Sequence, residues 1–191
     1  MWLLKIYLLS GLVVHKAVWE VMKRQASGRE NRKTVTTSSD LRTLLIKTVK
    51  IAILVGIAVQ TLLPDVLPIS SNVWLRVLGT AIYSVGLWIA ISSRKALGAN
   101  WSDIEAGKIA EGHSIVSQGA YRFIRHPIYV GDLLLLFGLE LALNSWLIVG
   151  VFLLAPVVLR QALREEQKLV RSLPNYAAYC SSTKRFIPFV V

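Results

Sequence analysis

Apolar and polar positions fall in long blocks along this chain. Trp2 to Met22 is apolar apart from Lys5, His15, Lys16 and Glu20. Leu44 to Leu63 is interrupted near its start by Lys47 and Lys50 and stopped by Pro64 and Pro68, and Val73 to Ser92 follows as a third block. Ile128 to Leu143 and Trp146 to Leu159 are separated by little more than Asn144 and Ser145, which predicts a tight helical hairpin. A membrane span needs about 20 apolar residues, so the first three blocks are spans by length and the last two are short for a ~30 Å hydrocarbon core. The first block is the weakest, and an interfacial position is its alternative. Lys16 and Glu20 can snorkel near its end, so the spanning form is preferred.

The connections differ in character. Lys23 to Thr43 is basic and polar, with Gly28 and a Thr/Ser run from Thr34 to Ser39, and predicts a loop. Arg94 to Arg125 is long, polar and rich in Gly, and irregular connections of that length are more often functional than decorative. Arg160 to Tyr179 predicts an amphipathic helix leaving the membrane and broken near Pro174.

Composition agrees with a membrane protein. Of 191 residues 54% are hydrophobic and 17% charged, whereas soluble domains carry about a quarter charged residues. The chain therefore reads as one integral all-α, polytopic domain over 1–191, with three spans in 1–92 and the hairpin and amphipathic helix in 93–191. A net charge of +11 raises the question of nucleic acid, but the Lys and Arg lie between apolar blocks, and a membrane surface is the better partner. Cys180 is the one cysteine, which excludes an intrachain disulfide and a thiol cluster for metal.

Basic residues also set the orientation. They follow the first, third and fifth blocks, while PDVLPISSN and LNS contain none. By the positive-inside rule this predicts about five spans, the N-terminus outside and the C-terminus cytoplasmic. The long connection and the segment after the fifth block then share the cytoplasmic face.

That face carries the candidate chemistry. In GAYRFIRHPIYVG, Pro127 biases His126 away from helix and suits the first helical turn, so a helix is expected to start there. Its free amides and positive dipole end, flanked by His126 and Tyr129, suit a carboxylate or phosphate. A basic and aromatic belt explains the same residues equally well. Arg164, Glu165 and Glu166 follow the fifth block, where i,i+4 pairing on a solvated helix is the simpler reading. Asp132 is costly inside an apolar block and reads either as a group beside the site or as a first-turn acid. His15 reads as a packed or interfacial residue, and Trp101 as an anchor or part of a lid.

The second half, from about Leu97 to Pro188, resembles the isoprenylcysteine carboxyl methyltransferase and phospholipid methyltransferase group of integral membrane enzymes. The matching elements are LGANWS, GHSIVSQGAYRFIRHPIYVG, REEQKL and YAAYCSSTKRFIP, in that order, with the hairpin between the second and third. The resemblance implies a methyltransferase-like core at 93–191 that binds S-adenosylmethionine at the cytoplasmic face without a soluble Rossmann domain. It places cofactor contacts on His113, Ser114, Ile115, Val116, Tyr121, His126, Pro127, Ile128, Tyr129 and Glu165, partly through backbone. The family's substrate arginine, one turn before the glutamate, falls here on Gln161, leaving the flanking Arg160 and Arg164 to orient an acceptor. The implied activity is methyl transfer to a lipophilic or lipid-linked acceptor. The acceptor is a carboxylate in the leading form and a phospholipid amine in the alternative; a carboxylate ionised at pH 7 needs no general base, whereas an amine does, with Glu165, Glu166 and His126 as the candidates. A membrane reductase using NADPH and a non-catalytic scaffold stand further off.

Overall fold

The computed structural model describes residues 1–29, 41–63, 67–70, 72–98 and 114–188. Its elements are α1 (Trp2–Arg29), α2 (Leu41–Leu62), α3 (Val73–Leu97), a 3-10 turn (Gly119–Arg122), α4 (Pro127–Ala142), α5 (Ile148–Ser172) and α6 (Tyr176–Ser182). Among the described residues there is no strand, only isolated bridges at Pro68 with Ser145 and at Ile124 with Lys184. The all-α expectation holds.

Several boundaries differ from the sequence reading. α1 continues past Met22 to Arg29, because Lys23, Arg24 and Gln25 are good helix formers and nothing breaks the turn. α3 continues past Ser92 for the same reason and ends at Gly98, whose φ of 53° only glycine adopts without strain and whose N–H returns to the Arg94 carbonyl. The fifth apolar block and the amphipathic helix are one helix, α5, with Pro156 inside it. The break near Pro174 is present, and Asn175 at φ 66° starts α6.

Among the described residues two helices are long and apolar enough to cross a membrane, Trp2–Gln25 and Val73–Leu97, while Ile51–Leu62 of α2 is a shorter apolar stretch. At 16 residues α4 is about 24 Å long at ~1.5 Å per residue. The outer faces of the helices are apolar: Ile6, Val13, Ile53, Val85, Trp88, Phe152 and Leu153 are all exposed. Only 22% of the apolar window of α3 is buried within the protein. So much exposed hydrocarbon needs an apolar solvent, and helices satisfy their backbone in one.

What holds the helices together is close backbone approach. Gly79 and Gly86 on α3 and Gly131 and Gly138 on α4 all face the other helix. A Cβ on Gly79 would lie 2.3 Å from the Ala142 nitrogen, and one on Gly138 only 2.2 Å from that of Tyr83. In lipid, where apolar surfaces gain nothing by leaving solvent, small residues let dispersion and packing supply the association. Tyr83, fully buried, then ties this pair to α1 by donating to the Leu8 carbonyl at 2.6 Å. At the opposite end from the 3-10 turn, buried Asn144 accepts from the Ser70 N–H at 3.1 Å, and the Ile69 N–H donates to the Asn144 carbonyl at 3.0 Å. These bonds fix the α4–α5 turn to the segment entering α3, and with it the direction in which α4 and α5 return.

Candidate functional site

Pro127 opens α4 as its sequence position predicts, with His126 outside the helix at φ −122°. The segment before it does not coil freely. Lys184 N–H donates to the Phe123 carbonyl at 3.0 Å, Arg125 N–H to the Lys184 carbonyl at 2.8 Å and His126 N–H to the Arg185 carbonyl at 3.2 Å. The RHP segment is thus paired, in parallel, with the stretch following α6.

Side chains reinforce this pairing through one carboxylate. Glu166 Oε1 accepts from Arg125 Nε at 2.8 Å and from His126 Nε2 at 3.1 Å, and Glu166 Oε2 accepts from Arg185 Nε at 3.0 Å. Glu166 and His126 are buried. Burial alone pushes the Glu166 carboxyl up, but hydrogen bonds from His126, Arg185 and Arg125 outweigh it and hold the group well below the usual carboxylate range. The same Glu166 contact holds the Arg185 guanidinium above its ordinary range, against burial. Arg125 Nη1 also donates to the Cys180 carbonyl at 3.0 Å and to the Thr183 carbonyl, which caps the arginine on its far side.

The neighbouring carboxylate faces elsewhere. Glu165 accepts from the Tyr129 hydroxyl and from Gln161 Nε2 at 3.1 Å. Tyr129 stacks on the His126 ring at a centroid separation of 5.5 Å, and Phe186 covers His126 at 5.6 Å. Tyr121 is buried in the 3-10 turn, and its carbonyl accepts from the Tyr179 hydroxyl at 2.7 Å. Burial pushes the Tyr121 hydroxyl up; nearby Tyr179 and Glu165 add to this, and the Arg94 charge opposes it.

The predicted site residues divide accordingly. Tyr121, His126, Pro127, Ile128, Tyr129 and Glu165 are brought to one end of α4 and α5. Ser114, Ile115 and Val116 precede the 3-10 turn without secondary structure, and among the described residues no backbone hydrogen bond joins Ile115 or Val116 to another segment. His113 and Trp101 lie outside the described residues. Arg160 and Arg164 are exposed on α5, one strip away from the Gln161 and Glu165 pair.

Sequence reasoning missed the Glu166 cluster, although REEQKL and STKRFIP both pointed at it. It also missed α1. His15 Nε2 lies 3.0 Å from Asp132 Oδ1 on α4, and its ring stacks on Trp19 at 6.4 Å. The Arg94 guanidinium of α3, buried, sits 4.6 Å over Trp19. Side-chain contacts thus run from Arg94 over Trp19 to His15 and Asp132, which stands one turn along α4 from Tyr129.

A helical membrane protein with an aromatic and carboxylate cluster at one end of a hairpin defines a class, and comparison places the chain within it. The phospholipid methyltransferase family model matches residues 74–175, more than half of the sequence, and the chain belongs to that family, allied to the isoprenylcysteine carboxyl methyltransferases. It is 32% identical over 122 residues to the cobalt-zinc-cadmium resistance protein CzcN of Cupriavidus metallidurans, covering 60% of this chain and 48% of that protein. It is 27% identical over 133 residues to the protein-S-isoprenylcysteine O-methyltransferase of Xenopus laevis, covering 68% of this chain and 45% of that one. The chain thus spans about half the length of the curated relatives it matches. In fold it is similar to the eukaryotic intramembrane Ras methyltransferase, isoprenylcysteine carboxyl methyltransferase, with a TM-score of 0.58 at 18% identity over 98% of this chain and 68% of that one.

Proposed function

We propose that the chain is an S-adenosylmethionine-dependent membrane methyltransferase whose lipophilic or lipid-linked acceptor enters from the bilayer. The observation that carries this is the meeting of Tyr121, His126, Tyr129 and Glu165 at one end of the bundle, Tyr129 and Glu165 lying 36 residues apart in sequence.

The residues fit the cofactor. Among the described residues Glu165 uses Oε1 for Tyr129 and Gln161, which leaves Oε2 for an ammonium or a ribose hydroxyl. Tyr121 and Tyr129 offer aromatic surface for an adenine, and the backbone of Ile115 and Val116 offers polar edges. His126 and Pro127 act as the frame, held by Glu166, that sets where Tyr129 stands. Bound there, S-adenosylmethionine supplies an electrophilic methyl group on a sulfonium. The protein's own work is then to position the acceptor and exclude water, the terms that dominate a displacement of this kind.

We place the N-terminus outside, about five helices in the membrane and the site at the cytoplasmic face, as the distribution of Lys and Arg supports. For a carboxylate acceptor, as in the isoprenylcysteine enzymes, Arg160 or Arg164 supplies the orienting cation from the surface of α5. A protic amine acceptor is the second reading. It is favoured by Gln161, which stands where the family has arginine and is committed to Glu165.

Calorimetric titration of detergent-purified protein with S-adenosylhomocysteine and with NADPH tests the proposal. Binding of S-adenosylhomocysteine alone is the expected result. Binding of NADPH instead makes the protein a reductase, and binding of neither makes it a scaffold.

A further inference from the structure

The His15 and Asp132 pair lies in the apolar part of the bundle, on α1 and α4. Ionisable side chains are costly there, and those that occur are commonly functional. Packing alone does not account for this pair, because its side chains remain open, His15 to 24% and Asp132 to 35%. A carboxylate has no proton to give, so in the 3.0 Å contact Nε2 is the donor, and in the uncharged form of the ring Nδ1 is then the acceptor. Among the described residues Nδ1 has no hydrogen-bond partner. Asp132 and Tyr129 are three residues apart on one face of α4, and the Tyr129 hydroxyl reaches Glu165. The pair therefore sits one helical turn from the candidate cofactor groups. Among the described residues the charged group in contact with His15 is Asp132 from α4, and Arg94 from α3 lies over the Trp19 ring on which His15 stacks. Ile51 to Leu62 of α2 contains no titratable side chain.

We propose that His15 is the proton acceptor of the methyl-transfer reaction and Asp132 its positioning partner. This rests on the second, protic-amine form of the methyl-transfer reading above. In the step, the Nδ1 lone pair of His15 forms a bond to the proton of an acceptor N–H. That N–H bond breaks, and its electron pair stays on the acceptor nitrogen, which becomes the nucleophile. The Nε2–H stays on the ring and donates to the Asp132 carboxylate, which stabilises the imidazolium until the Nδ1 proton passes to water. An acceptor that is already ionised has no use for this arrangement, so the pair is a device for a protic acceptor.

The test uses the full chain in nanodiscs, with phosphatidylethanolamine and a long-chain carboxylate as alternative acceptors, and S-adenosylhomocysteine affinity as a second readout. In the expected result His15→Gln keeps wild-type S-adenosylhomocysteine affinity while kcat on the amine lipid falls by ~100-fold or more with KM little changed. Added imidazole restores turnover to His15→Ala. Asp132→Asn, which keeps a hydrogen-bond acceptor for Nε2 but not the charge, lowers kcat and not KM. Independently of turnover, carbethoxylation of His15 is slowed by phosphatidylethanolamine and not by its trimethylated counterpart. Wild-type kcat in His15→Gln, or methylation of the carboxylate lipid alone, overturns the proposal while leaving the methyltransferase reading intact. Failure of the wild type to bind S-adenosylhomocysteine overturns that reading instead.

Discussion

Arg125 donates through Nε to Glu166 at 2.8 Å, joining the first residue of the RHP segment to the C-terminal half of α5. Both side chains are nearly buried, at 8% and 10% exposure. Removing one member of such a pair leaves the other as an uncompensated buried charge. Glu166→Ala is therefore expected to destabilise the protein by about 3 kcal/mol or more. Thermal unfolding in detergent, monitored by tryptophan fluorescence, measures this, and an unchanged midpoint would show that the cluster is an adornment.

The pH dependence follows from the same group. The folded Glu166 carboxyl is held below its unfolded value of about 4.3, so its contribution is complete above that pH and is lost as pH falls through the lower, folded value. Wild type should hold its unfolding midpoint from neutral pH to mild acid and then drop, while Glu166→Gln should show a shallower fall. At the other extreme, burial pushes the Tyr179 hydroxyl up to about 12. That contribution is full below the unfolded value near 10 and disappears as pH rises from there through the folded one. Parallel acid profiles for wild type and Glu166→Gln would contradict the assignment.

Gly138→Ala should force α3 and α4 apart, since its Cβ would lie 2.2 Å from the Tyr83 nitrogen. Overpacking of this kind typically costs about 1–3 kcal/mol. Gly56→Ala is the control: nothing lies within 4 Å of its Cβ, and the gain in helix propensity is about 1 kcal/mol. Opposite shifts in thermal midpoint are expected, and a neutral Gly138→Ala would refute the close approach.

Glu165→Gln should weaken S-adenosylhomocysteine binding by about 1.5–3 kcal/mol, the typical worth of a hydrogen bond to a charged group. Its i−4 partner Gln161 is a half-buried neighbour on the same helix, so the fold should survive. Calorimetry on the monodisperse variant decides this. Wild-type affinity would return Glu165 to the helix-pairing role that its spacing from Gln161 already provides.

In a Cys180→Ser background, a cysteine placed at exposed Trp146 should react with an impermeant maleimide from outside intact cells, and one at exposed Arg171 should not. The reverse pattern would invert the proposed topology.

The order of helices, the helix start at Pro127 and the break near Pro174 were legible because proline and apolar block length act locally. Which of two adjacent carboxylates turns inward was not. Glu165 and Glu166 are about 100° apart on a helix, and only packing shows that Glu166 shares the buried strip with Ala162. The seven-residue spacing of Gly79 with Gly86, and of Gly131 with Gly138, was visible in the sequence, yet its meaning depends on two helices meeting in register. His15 and Asp132 are 117 positions apart, and nothing in either local segment announces the other.

The pairing of Phe123, Arg125 and His126 with Lys184 and Arg185 also has a bearing on synthesis. The ribosome makes the RHP turn first and its partner strip only after α4, α5 and α6 have been completed. Glu166 and Arg185 therefore reach His126 late, after α4 and most of α5 have been made. A nascent chain halted before Thr183 carries every helix yet lacks the clasp, so readiness of the site is tied to translation of its last-made contacts.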